Sequence, residues 1–174
     1  MDITRIRRPY NDGELNVNIT IETRDTTTVY GIRHNGPYME IDKAFNALWD
    51  WVVAVDLPTQ VTCGMAIFHD DPTKTAPQSC RSDACVQLKQ PPSELQLSEI
   101  VKPIEIAGGC FALYRHIGPY SALEPVYHQF YHQWLPASDY QKTAQPSFEI
   151  YINNPLDTPP DELITDIYFP VMAK

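Results

Sequence analysis

Basic residues are scarce in this chain: 13 Lys and Arg stand against 22 Asp and Glu, a formal charge of -9 over 174 residues. So acidic a surface repels phosphate backbones, which sets direct DNA binding aside, and no helix-turn-helix pattern occurs in the sequence. Long apolar runs are missing too. Nothing approaches the roughly 20 residues that cross a bilayer, and the opening Met1-Asp2-Ile3-Thr4-Arg5-Ile6-Arg7-Arg8 lacks a signal peptide's apolar core. The expectation is a cytoplasmic protein with no membrane partner. Cysteine is confined to Cys63, Cys80, Cys85 and Cys110 with no C-x-x-C pair, which reads as reduced thiols without a disulfide or metal role. No glycine-rich phosphate loop, nucleophile elbow or H-E-x-x-H frame occurs; His128 and His132 have the spacing of helical zinc ligands, but Gln129 stands in the acid's place. No metal and no cofactor is expected.

The chain does contain a repeat. Residues 33–38 read Arg-His-Asn-Gly-Pro-Tyr and residues 115–120 read Arg-His-Ile-Gly-Pro-Tyr, 82 positions apart (115 − 33). After the first motif, Ile41, Phe45, Leu48 and Val52 form one apolar helical stripe. The same shift turns them into Leu123, Tyr127, Phe130 and Trp134, a second stripe. Ser121 and Glu124 have capping-box spacing ahead of it, and Pro125 is tolerated in a first turn. Thr28–His34 and Cys110–His116, before the motifs, have strand composition. Downstream, with one residue inserted, Gly64–Phe68 aligns with Ser147–Tyr151, each running on to a polar pair and a proline. Strands over Asp83–Leu88 and Asp166–Val171 close the halves, and Asn16–Glu22 and Ser98–Ile104 open them.

The fold class is therefore α+β: two tandem strand-strand-helix-strand-strand repeats, about 15–90 and 97–172, packed as one pseudo-twofold antiparallel-sheet body with a central groove. Residues 1–14, basic and polar, are set apart as a flexible segment. The start at Met1 favours a standalone protein over the remnant of a larger regulator. His34 and His116 recur with Gly36-Pro37 and Gly118-Pro119, which marks structural corners, not catalysts.

The Arg-His-x-Gly-Pro-Tyr segment, the Phe148-Glu149-Ile150-Tyr151 strand with Asn153-Asn154-Pro155, and Arg81–Val86 after Asp70-Asp71-Pro72 resemble the GyrI-like domain. That domain occurs alone in gyrase-inhibiting proteins and as the C-terminal effector-binding half of AraC-type regulators. The resemblance, over about residues 15–172, implies a pocket between the halves for lipophilic, often cationic, small molecules, facing a buried glutamate. The matching position is Glu149, and its first-half counterpart is Ala66. A lone buried carboxylate is costly, and a cation would relieve it. Tyr38, Trp49, Phe68, Tyr120, Tyr151 and Tyr168 are the wall candidates. Alternation sets Glu149 with Ser147, away from Phe148 and Ile150 and, in this reading, from Tyr151 as well; the competing reading turns Glu149 to solvent on an edge strand. The resemblance implies two alternatives to binding. One is hydrolysis of reactive cyclopropane-bearing compounds, with Glu149 as base and Tyr151 or Tyr168 assisting. The other is a protein-interaction module inhibiting DNA gyrase.

Overall fold

The structure is a computed structural model that describes residues 19–174; the basic segment 1–14 and the first residues of the strand expected over 16–22 lie outside them. Among the described residues, nine strands and two helices longer than a single turn follow in the order β1 (Thr20–Arg24), β2 (Thr27–Asn35), α1 (Asp42–Ala54), β3 (Val61–Phe68), β4 (Arg81–Leu88), β5 (Lys102–Ile106), β6 (Gly109–Ile117), α2 (Leu123–Gln129), β7 (Tyr140–Lys142), β8 (Ser147–Tyr151) and β9 (Ile164–Ala173). Every strand pairing is antiparallel.

Two boundaries differ from the sequence reading. The strand expected over Ser98–Ile104 begins at Lys102, because Ser98 Oγ accepts the Val101 N–H at 3.0 Å and turns the chain first. Ser121 does not cap α2: a 3-10 turn, Tyr120–Ala122, leads into the helix, and the Pro119 carbonyl accepts the Ala122 N–H at 3.0 Å. Beyond Gln129 the second helix widens into a π turn over Phe130–Trp134, whereas α1 is regular through 13 residues.

The sheet order is β1-β6-β9-β8-β3-β4-β2-β5, with β7 added on β9. The halves exchange their opening strands: β1 pairs with β6 of the second half, and β5 with β2 of the first. The seam is the β3–β8 pair, where Ala66 lies directly opposite Glu149. Those two positions are also equivalent in the repeat (149 − 66 = 83), so the pseudo-twofold axis passes between them.

Both helices lie on one sheet face. Leu48, Trp51 and Val52 of α1 pack on Ala84 and Val86 of β4; Val126 of α2 and Phe130 pack on Ile167 and Phe169 of β9. Burial of a side chain such as Leu48 or Val52 contributes about 1.5–3 kcal/mol. Alternation places Gly64, Ala66 and Phe68 of β3, and Ser147, Glu149 and Tyr151 of β8, on that helix face. The other face carries its own core of Val29, Met65, Ile67, Cys85, Phe111, Phe148 and Tyr168. Over it the β1–β2 and β5–β6 connections meet, the Gly108 N–H donating to Thr26 Oγ1 at 2.9 Å.

Candidate functional site

The repeated motif builds a repeated frame. Arg33 forks onto the buried Asp83, and Arg115 onto the buried Asp166, with both Arg115 bonds at 2.7 Å. The corner residues Gly36 and Gly118 have φ of 138° and 141°, a region L side chains rarely adopt. His34 Nε2 reaches the Pro37 carbonyl at 3.0 Å, and His116 Nε2 reaches that of Pro119 at 3.4 Å. These histidines lock turns. The first half has one addition: His69 also bonds Asp83. Burial works to raise the Asp83 carboxyl, but hydrogen bonds from His69 and Arg33 outweigh it and hold the group below the usual range.

Three pairs of aromatic residues, related by the pseudo-twofold, gather on the helix face at the seam: Tyr38 with Tyr120, Phe45 with Tyr127, and Phe68 with Tyr151. Their ring contacts repeat the symmetry. Tyr38 meets Phe68 edge-on at 4.9 Å, as Tyr120 meets Tyr151 at 5.3 Å. Phe45 meets Tyr151 at 5.7 Å across the axis, as Tyr127 meets Phe68 at 6.3 Å. Helix packing sets Phe45 and Tyr127, strand alternation sets Phe68 and Tyr151, and the Gly-Pro corners set Tyr38 and Tyr120.

Glu149 sits among these rings, 3% exposed. Tyr127 donates its phenol O–H to Oε1 at 2.7 Å, and Tyr151 donates to Oε2 at 2.8 Å. Burial pushes the Glu149 carboxyl above its ordinary range, and the two phenols pull it only part of the way back. Both phenols are driven well above the tyrosine range, by burial first and then by the Glu149 charge. They stay protonated and serve as donors. Tyr38 is tied elsewhere: its hydroxyl donates to the Asp70 carbonyl at 2.7 Å and accepts the Asp70 N–H at 2.9 Å. Burial lifts its phenol to about 12.

Of the residues singled out in the sequence, Glu149, Tyr38, Phe68, Tyr120 and Tyr151 are brought together, and two are not. Trp49 is 49% exposed on the outer side of α1, because it follows the stripe residue Leu48 by one position, about 100° around the helix. Tyr168 points to the opposite sheet face, stacked on Phe148 at 4.8 Å with the Arg24 guanidinium 4.5 Å from its ring centre. Its register partner across β8 is Phe148, not Glu149. The expectation that Tyr151 lies off the Glu149 side is corrected as well: residues two apart on a strand share a face. The solvent-facing reading fails because β8 lies between β3 and β9, under the helix layer. Tyr127 and Phe45 were missed as site residues. The signal was present, since Tyr127 is the stripe position where the second half has a phenol and the first a phenyl.

A small pocket lined by Arg24, Thr27, Met65, Gln87, Phe111 and Phe148 lies on the other face, away from Glu149. Among the described residues no three His, Cys, Asp or Glu side chains are grouped to hold a metal ion, and no helix is long and apolar enough to cross a membrane.

The profile of the GyrI-like small molecule binding domain matches residues 18–172. A DNA gyrase inhibitor of Escherichia coli (strain K12) is 30% identical over 141 residues, 79% of this chain and 87% of the relative. Among solved structures, the EcmrR C-terminal domain superposes with a TM-score of 0.77 at 18% identity, covering 92% of this chain and 100% of that one. This chain spans 58% of the EcmrR chain solved in an EcmrR–DNA complex. SAV2435, solved bound to tetraphenylphosphonium, superposes with a TM-score of 0.60 at 14% identity, over 89% of this chain and 94% of its own.

Proposed function

Because the chain belongs to the GyrI-like small molecule binding domain family, we propose that it binds lipophilic cations at the seam between its halves, against Glu149, as a sensor or sequestering module. The observation that carries this reading is a carboxyl 3% exposed within a cluster of six aromatic side chains, whose hydrogen-bond partners among the described residues are two neutral phenols. Such a group holds its charge at a cost that a cation offsets. Each ring reached by the cation adds roughly 0.5–2 kcal/mol of cation–π attraction. The fold is shared with a protein solved bound to tetraphenylphosphonium, which is the first probe. Calorimetric titration is expected to give saturable binding that Glu149→Gln weakens at least about ten-fold. No saturable binding by the folded protein, or an unchanged affinity in the variant, would sink the reading.

A second reading is inhibition of DNA gyrase, favoured by the 30% identity to a gyrase inhibitor over most of both chains. A supercoiling assay tests it: the purified protein slows gyrase, and retained full activity at excess protein removes it.

A further inference from the structure

The sheet face opposite the helices departs from the duplication in its own way. Its small pocket lies on the pseudo-twofold axis, since repeat equivalents line it from both halves: Arg24 with Ile106 (106 − 24 = 82) and Met65 with Phe148 (148 − 65 = 83). The polar lining comes from the first half alone. Where that half has Arg24, Asp25 and Gln87, the second has Ile106, Ala107 and Pro170. Three of the four described arginines fork onto an aspartate: Arg33 onto Asp83, Arg81 onto Asp70 and Arg115 onto Asp166. Arg24 is the exception. Among the described residues it makes no ion pair, and its guanidinium lies 4.5 Å from the ring centre of Tyr168 and 5.9 Å from that of Phe148. Stacking on an aromatic ring fixes the plane of a guanidinium and leaves its N–H edge free for a flat oxyanion. Gln87 is placed to assist: its side-chain oxygen accepts the weak Cys63 S–H donor at 3.6 Å, which leaves the amide N–H₂ to donate elsewhere. Asp25 is exposed at the pocket's mouth. Glu22 stands two residues before Arg24 on the same face of β1. Both acids repel a second negative charge near Arg24.

We infer that this pocket binds one short-chain monocarboxylate per chain, its carboxylate held by the Arg24 fork and the Gln87 amide and its chain lying against Met65 and Ile106. The ligand class follows from the lining. A planar anion with two oxygens matches the guanidinium edge, and the half-buried setting among apolar side chains strengthens the pair over one in open water. The small size admits a chain of a few carbons and not a ring system. Asp25 and Glu22 count against a dianion. Because Ile106 stands where the second half would need its own arginine, the axis holds a single anion site. The site is separate from the Glu149 cluster and does not depend on the cation reading: β3 and β8 send Met65 and Phe148 to one face and Ala66 and Glu149 to the other. The two faces then take ligands of opposite charge.

The probe is sodium propionate, exchanged for sodium chloride at constant ionic strength and followed by NMR of the full chain with isotope-labelled methionine and isoleucine methyl groups. The expected result is saturable movement of the Met65 and Ile106 signals with a midpoint on the order of 1 mM, an affinity suited to a ligand of so few atoms. Propionamide, the neutral isostere, and succinate, the dianion, each bind at least about ten-fold more weakly. Arg24→Gln weakens propionate about ten-fold or more, while Arg24→Lys, which keeps the charge and loses the fork, and Gln87→Leu each weaken it about three-fold or more. Glu149→Gln, on the other face, changes it less than about two-fold. If Arg24→Gln does not unfold cooperatively, Arg24→Lys and Gln87→Leu carry the test. Movement that stays linear throughout the titration, propionamide or succinate binding as tightly, or an affinity unchanged in the Arg24 variants overturns the proposal. So does saturable movement centred on Ile167 of the helix face, or loss of propionate binding in Glu149→Gln. None of these outcomes bears on the cation reading, which the tetraphenylphosphonium titration tests separately.

Discussion

Replacing Glu149 with Gln exchanges a buried ionisable carboxyl for a neutral amide of the same shape. In the wild type the group is 3% exposed and accepts phenol O–H bonds at 2.7 and 2.8 Å. The amide oxygen keeps one of those bonds, and the amide N–H₂ donates to the second phenol oxygen. The loss is the charge-assisted part of two hydrogen bonds, about 1 kcal/mol each. The gain is removal of a charge, or of the proton needed to neutralise it, from a site where ions cost several kcal/mol. The balance favours Gln by roughly 1–2 kcal/mol at neutral pH, which for a domain of this size raises Tm by about 2–8 °C. The pH dependence follows from the direction of the shift. Glu149 is raised above its ordinary 4.5 in the fold, so its contribution is fully present below that value and is lost as pH rises through the raised one. The Gln variant has no such loss, and its advantage closes towards acid pH and widens towards neutral. Thermal unfolding followed by circular dichroism across that range is the assay. A variant less stable than wild type at neutral pH, or an advantage that does not vary with pH, would show the carboxylate to be a structural anchor and refute the argument that a buried charge is held there at a cost.

Cation affinity is expected to rise with pH as Glu149 sheds its proton, while a neutral analogue of the same shape binds equally throughout; calorimetry with both decides, and parallel profiles count against Glu149 as the partner of the cation. Arg115→Ala leaves the buried Asp166 without its guanidinium and costs on the order of 3 kcal/mol. Arg33→Ala costs less, because Asp83 keeps His69, and equal melting-temperature losses would contradict this. Gly36→Ala and Gly118→Ala each lose about 1–3 kcal/mol by denaturant unfolding, since φ is 138° and 141° there. Gly118→Ala loses more, because its new Cβ would meet His116 Nε2 at 3.2 Å against 3.5 Å at the first corner.

Much of the architecture was legible because duplication writes each element twice. Two copies of Arg-His-x-Gly-Pro-Tyr, each followed by an apolar stripe at the same shift, located both helices and the strands before them. Five of the seven residues singled out for the site do meet at the seam. Trp49 and Tyr168 do not, because aromatic character says nothing about which side of an element a residue occupies. Tyr127 escaped notice for the complementary reason: a tyrosine in a helical stripe looks like core until its hydroxyl is seen to have a carboxylate to reach.

Local pattern and repetition alone determined the two-copy α+β plan, the glycine corners and the place where the copies part company at Ala66 and Glu149. Only the tertiary structure decided that β1 and β5 change sides, that β3 and β8 meet in the register that sets Ala66 across from Glu149, and that Tyr127, Glu149 and Tyr151 form one hydrogen-bonded group. The physical reason is that strand pairing and helix docking join residues far apart in sequence. The energy that selects one register, burial of a whole face at once, belongs to no single segment.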